Sequence, residues 1–216
     1  MFSKSDFFTI DNVRLEGLNK ITEDEVYKLL GPVKGENLFL TDTDTVAEKV
    51  KLHPLVDQVV AQKELPATIV IKIKERVPAA LILNTSSLVE VDSQGIVLRF
   101  YDSWPEEDYP ILTGIEVPDN IGLGQKFNNP KLDKALLLVG QAPAGLLSVL
   151  GEVHIAQNEQ IFLYLTTKTE VRLGYGENYS EKLQLLWKLM ESSEYQEMQH
   201  AVKYIDLTSG KPVIGL

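Results

Sequence analysis

The sequence predicts an α+β protein made of two modules, and three observations carry that reading. Between Glu64 and Leu83 a period-2 stretch, with Ile69, Ile71 and Ile73 alternating with Val70, Lys72 and Lys74, reads as a strand with one buried and one wet face. Pro78 follows it at once and should interrupt the ladder, and Ala79–Leu83 beyond is apolar on both faces, which marks a change of sheet. Upstream of this junction lie two helix signals between strands, and downstream lies a series of short strands and turns.

In chain order, Phe7–Leu15 reads as a first strand with Phe8 and Ile10 inward. Thr22-Glu-Asp-Glu25 is a capping box, in which hydroxyl and carboxylate each take a backbone N–H. Val26, Leu29 and Leu30 supply the apolar stripe, and Gly31-Pro32 stops the helix. Gly35–Leu40 is a loop that buries Leu38, Phe39 and Leu40. Thr41-Asp-Thr-Asp44 places acceptors at the start of a second helix, which His53-Pro54 ends. Leu55–Lys63 is a strand, and a turn at Leu65-Pro66-Ala67 returns the chain into Ile69–Ile73. The order β-α-α-β-β in about 70 residues suits a small domain with helices on one face of a three-stranded sheet.

After Pro78, Ser87–Val91 and Ile96–Tyr101 flank the turn Asp92–Gly95. Tyr109–Gly114 is a short extended piece. Leu132, Ala135, Leu136 and Val139 are helix-spaced, with Pro143 breaking the run. Val153–Ala156 and Ile161–Thr167 form a hairpin, and Glu170–Leu173 is a further strand. Asn178–Glu181 caps a helix facing inward through Leu183, Leu186, Trp187 and Met190. Val202–Thr208 is a last strand, followed by Ser209-Gly210 and Lys211–Leu216.

The chain has 216 residues and a net charge of −10 from 21 basic and 31 acidic side chains. That balance opposes nucleic-acid binding, which needs Lys and Arg clustered on phosphates. No cysteine is present, so disulfide and thiolate chemistry are excluded. Apolar runs such as Ala79–Leu83 and Leu136–Val139 are core-sized, far below the 18 or so residues of a membrane span. Phe2–Asp6 is not the apolar core of a signal peptide.

Candidate chemistry is sparse. His53, His154 and His200 lie in different elements without metal-ligand spacing. No Gly-x-Ser-x-Gly elbow occurs, and Gly122-Leu-Gly124 and Gly174-Tyr-Gly176 lack the context of phosphate loops. Glu106-Glu107-Asp108 reads as an exposed loop, and Asp42 and Asp44 as helix capping. The expectation is a binding module without cofactor, metal or catalytic residues. The edge of its last strand is the candidate surface, since a partner strand can add to unpaired N–H and C=O groups.

The residues Phe8–Gly17, the Thr22 box, Gly35-Glu-Asn-Leu-Phe39, His53-Pro-Leu-Val56, Leu65–Ile71 and Glu75-Arg-Val-Pro-Ala79 together resemble the POTRA domain of the FtsQ/DivIB bacterial cell-division family. Leu88–Leu98, Pro110–Gly114 and Tyr204–Gly210 are similar to successive elements of that family's β domain. The resemblance implies a membrane-proximal stub at 1–6, a POTRA domain at 7–76 and a mixed or antiparallel β domain with flanking helices at 77–216, joined at Arg76 and Pro78. It implies a single-pass protein of the bacterial cell membrane, with this part extracytoplasmic and at the septum, that is not an enzyme. Its partners would be FtsB/DivIC-like and FtsL-like proteins, and it would help regulate septal peptidoglycan synthesis. Carried onto this chain, the partner-binding residues are Tyr204, Thr208, Ser209, Gly210, Val213, Ile214 and Leu216, beside the helix at Ser180–Glu194. No aromatic anchor ends the chain: Ile214 or Leu216 stands there, and Pro212 removes one edge donor. Lys72 and Lys74 form the candidate POTRA surface for other division proteins. The alternative is a POTRA-containing assembly module that chaperones outer-membrane or secreted substrates. A periplasmic hydrolase would need an acid, base or nucleophile cluster, and none was found.

Overall fold

The computed structural model describes residues 6–84, 87–176 and 178–216, and divides into two compact units, Met1–Val77 and Pro78–Leu216. The expected stub lies almost wholly outside the described residues.

In the first unit, strand β1 (Asn12–Glu16) is followed by helices α1 (Glu23–Leu30) and α2 (Thr43–Lys51), then by strands β2 (Val56–Glu64) and β3 (Thr68–Glu75). The sheet order is β1-β3-β2, with β1 parallel and β2 antiparallel to β3. The capping box forms in full: the Thr22 hydroxyl accepts from the Glu25 N–H, and the Glu25 carboxylate accepts from the Thr22 N–H. Asp42 caps α2 through the Asp44 N–H. Ile69, Ile71 and Ile73 are buried and Lys72 and Lys74 exposed as the alternation predicts, but Val70, expected on the wet face, is buried.

The single strand expected over Phe7–Leu15 is corrected. Phe8–Ile10 exchanges backbone hydrogen bonds with the 35–38 loop, whereas Asn12–Glu16 pairs with β3. The chain changes partner at Asp11, and Asp6–Phe8 is a 3-10 turn. Phe39 and Leu40, expected inside, are exposed.

In the second unit, β4 (Pro78–Leu83), β5 (Leu88–Asp92), β6 (Val97–Tyr101) and β7 (Ile111–Thr113) precede helices α3 (Pro130–Gln141) and α4 (Ala144–Leu147). Then come β8 (Leu150–Ile155), β9 (Ile161–Leu165), β10 (Glu170–Gly174), α5 (Tyr179–Met190), α6 (Ser193–Met198), β11 (Tyr204–Asp206) and β12 (Val213–Gly215). One nine-stranded sheet results, ordered β12-β11-β10-β9-β8-β7-β4-β5-β6 and mostly antiparallel. The parallel pairs are β4 with β7, β7 with β8, and β10 with β11. Leu112, Val153, Leu163, Val171 and Ile205 point to one face of the sheet and form its core with Leu132 and Leu136 of α3 and Leu183 and Leu186 of α5. Pro78 does not interrupt a ladder but opens β4, opposite Asp92. Gly114 holds a positive φ where any Cβ would overlap the Ile155 carbonyl, so the β7–β8 crossing requires glycine there. Asn178 precedes α5 in a left-handed conformation, and its side chain makes no cap hydrogen bond, contrary to the expected cap.

Candidate partner-binding edge

At one end of the nine-stranded sheet the edge strand is β12, which follows the predicted Val202–Thr208 strand and lies among the residues expected to bind a partner. β11 lies between β10 and β12, and among the described residues nothing pairs with the far side of β12. The turn that delivers β12 is built by Asp206. Its Oδ1 accepts from the Thr208 backbone N–H at 2.8 Å and from the Thr208 hydroxyl at 2.6 Å, and these bonds hold the Asp206 carboxyl below its usual range. Gly210 takes a positive φ of 79° in the same turn.

β12 runs antiparallel to β11, with Tyr204 opposite Gly215, Ile205 opposite Ile214 and Asp206 opposite Val213. The Lys203 N–H donates to the Gly215 carbonyl at 2.9 Å, so the polar groups of Gly215 turn toward β11. Backbone groups alternate along a strand, so those of Ile214 turn outward, to the open edge. Pro212 offers the edge a carbonyl and no N–H.

The side chains divide between the two faces of the sheet. Ile214 packs on the helix-covered core. Val213 is 53% and Leu216 63% exposed, which makes them the apolar surface that the edge presents. On the other face the Tyr204 ring occupies the space that a Cβ on Gly215 would need. The Arg172 guanidinium sits 4.2 Å from the Tyr204 ring centroid, and Arg172 Nε donates to Glu170 at 2.7 Å, which raises the arginine's pKa.

Of the residues named from sequence, Val213, Ile214 and Leu216 lie on or beside the free edge. Thr208, Ser209 and Gly210 form the turn into it, and Tyr204 is one strand in. Sequence reading missed Arg172 and Glu170. The Glu170-Val-Arg172 alternation of β10 was the available signal, but only the tertiary pairing of β10 with β11 sets Arg172 against Tyr204. On the helix expected beside the edge, Ser180, Glu181, Gln184 and Lys188 of α5 are exposed, while Lys182 donates to the Leu173 carbonyl at 2.6 Å.

In the first unit Lys72 and Lys74 share the exposed face of β3, and Lys74 pairs with Asp57 at 3.0 Å. Arg76 is tied into that unit by its N–H, which donates to the Leu55 carbonyl at 2.7 Å, and by Asp57 at 3.8 Å. The histidines serve local structure where contacts are seen. His53 Nδ1 accepts from the Leu55 N–H at 3.2 Å, and His154 Nδ1 lies 2.6 Å from the Thr113 hydroxyl, which also bonds Glu152. Among the described residues no group of three or more His, Cys, Asp or Glu is placed to hold a metal ion, and no helix is long and apolar enough to cross a membrane.

A three-stranded β-α-α-β-β unit followed by a broad sheet with an open terminal strand defines a POTRA-bearing protein with a β domain. The family "POTRA domain, FtsQ-type" matches residues 8–76, and "Cell division protein FtsQ/DivIB, C-terminal" matches residues 80–208. The chain belongs to the FtsQ/DivIB family of cell-division proteins. It is 30% identical over 206 residues to the cell division protein FtsQ of Anaeromyxobacter sp. (strain K), covering 94% of this chain and 69% of that protein. It is 27% identical over 190 residues to FtsQ of Streptomyces griseus, covering 88% and 90%. A solved structure, the major extracytoplasmic domain of DivIB from Geobacillus stearothermophilus, is 16% identical with a TM-score of 0.37, covering 56% of this chain and 96% of that one. The family match ends at Thr208, so β12 lies outside it.

Proposed function

We propose that the protein is a non-catalytic scaffold of the division machinery whose β12 edge accepts a strand from an FtsB/DivIC-like partner. In this reading it is anchored by a single membrane span, with both units outside the cytoplasm at the septum. It gathers FtsB/DivIC-like and FtsL-like proteins and so helps regulate septal peptidoglycan synthesis. The observation that carries the reading is the open side of β12. It offers the outward N–H and C=O of Ile214 between the exposed Val213 and Leu216, the arrangement that strand addition uses. The edge is short, so main-chain bonds alone are few. The exposed positions of α5 are placed in this reading to give the partner a second contact.

A photoreactive amino acid at Val213 or Leu216 tests this in dividing cells. The expected product is a crosslink to the FtsB/DivIC-like protein from both positions, and none from the same group at Lys51 on α2. Equal yields at all three positions would refute the edge.

The Lys72 and Lys74 face is proposed as a contact for other division proteins. Lys72→Glu combined with Lys74→Glu reverses that face and removes the Lys74–Asp57 pair. The double variant is expected to leave crosslinking at Val213 intact while impairing division in a depletion strain. Normal division would show the face to be idle.

A further inference from the structure

The loop between β6 and β7 carries a feature that strand addition does not use. Asp102-Ser-Trp-Pro-Glu-Glu-Asp108 holds four carboxylates and no basic residue around one tryptophan. It borders a cleft of about 490 Å³ whose lining includes Leu81, Ile111 and Leu147. Trp104, Glu107 and Asp108 line the cleft, and among the described residues no Lys or Arg does. Trp104 is 63% exposed, an unusual position for the largest apolar side chain, since a buried indole stabilises a fold far more than an exposed one. The cleft lies at β7, five strands in from β12, or about 24 Å at ordinary strand spacing. It is therefore separate from the proposed edge.

We propose that this cleft receives an arginine side chain of a protein partner. The ligand needs a flat cationic head for the indole face, donors for carboxylates, and an apolar stem for the apolar lining that Leu81, Ile111 and Leu147 supply. Guanidinium stacks on aromatic rings and pairs carboxylates in a planar fork, and three methylenes join it to the backbone. Lysine carries the charge but not the plane or the fork. Citrulline, nearly the same shape, carries no charge. Glu107 also acts on Arg99, so Asp108 is the principal carboxylate for the ligand.

The test uses the whole chain and the capped peptide acetyl-Gly-Arg-Gly-amide, followed by NMR of the two indole N–H signals of Trp104 and Trp187, assigned through Trp104→Phe. The expected result is a saturable shift confined to Trp104, weakened severalfold in about 0.5 M salt, where exposed charges are screened. The lysine peptide should bind more weakly and the citrulline peptide at least about 10-fold more weakly, one decade being what 1.4 kcal/mol of charge recognition gives. Asp108→Asn should weaken the arginine peptide by a similar factor with the Trp187 signal unchanged, which guards against misfolding. Equal binding of the citrulline peptide, a shift at Trp187 instead, or no saturable shift at millimolar peptide overturns the proposal.

Discussion

Ile214→Pro is expected to reduce capture of the FtsB/DivIC-like partner by about 10- to 100-fold, the equivalent of roughly 1.4 to 2.7 kcal/mol. The residue's N–H faces the open edge, because the Lys203–Gly215 hydrogen bond turns the neighbouring groups inward. Proline there deletes the central donor of a three-residue edge and sets a ring against the incoming backbone. It breaks no bond between β11 and β12. The half-buried isoleucine side chain is lost too, so Ile214→Val serves as the control that trims packing and keeps the donor. Val213→Pro is the instructive contrast. Its N–H belongs to the inward set, so proline there should unseat β12 itself. Capture measured by pull-down, with circular dichroism as the check on folding, separates the two. Undiminished capture by Ile214→Pro with an unchanged spectrum would mean that the partner binds elsewhere.

The contrast rests on knowledge that the sequence could not supply. Long periodic elements were legible: Ile69, Ile71 and Ile73 announced β3, and Thr22 and Glu25 announced α1. Strands of three residues were legible only in part: β7 and β11 lie within the extended pieces predicted at Tyr109–Gly114 and Val202–Thr208, whereas Pro212 and Gly215 made β12 look like a tail. Sheet order was hidden for another reason, since parallel neighbours such as β1 and β3 are joined through other elements and leave no local turn signature. The Phe7–Leu15 error has the same root. One apolar alternation served two partners, and only long-range pairing showed the change at Asp11. β5 carries Glu90 and Asp92 beside Leu88, Val89 and Val91, yet all five positions are buried. Glu90 finds its company in the Tyr101 hydroxyl, 3.3 Å away on the neighbouring strand, and in the field of Arg99. At the candidate site, the residues at the end of the chain were legible through the family resemblance. Which of them face the edge was not, because that depends on the parity of one hydrogen bond.

Glu75→Ala is expected to destabilise the first unit by about 2 to 3 kcal/mol, the usual loss when backbone donors give up a charged acceptor. Glu75 ends β3, and its carboxylate accepts from three successive N–H groups, those of Asn19 at 2.7 Å, Lys20 at 2.8 Å and Ile21 at 2.9 Å. These groups lie just before α1, in the turn where Gly17 passes so close to the Ile73 carbonyl that no Cβ fits. One side chain thus pins the β1–α1 connection to the end of the central strand. Burial pushes the Glu75 pKa upward, but the three backbone bonds outweigh it, and the net shift is below the ordinary 4.5. The sign of the pH effect follows. The folded form holds the proton less tightly than the unfolded chain, so the contribution is complete above about pH 4.5 and falls away as pH drops through the lower, folded value. Glu75→Gln keeps one acceptor and no charge, and should cost less than alanine at neutral pH. Its deficit relative to the parent should shrink as pH falls below 4.5, where the parent's carboxylate becomes protonated as well. Urea unfolding of the parent and both variants at pH 7 and near pH 3.5 measures this directly. A deficit that stays constant with pH would show that shape, and not charge, holds the connection.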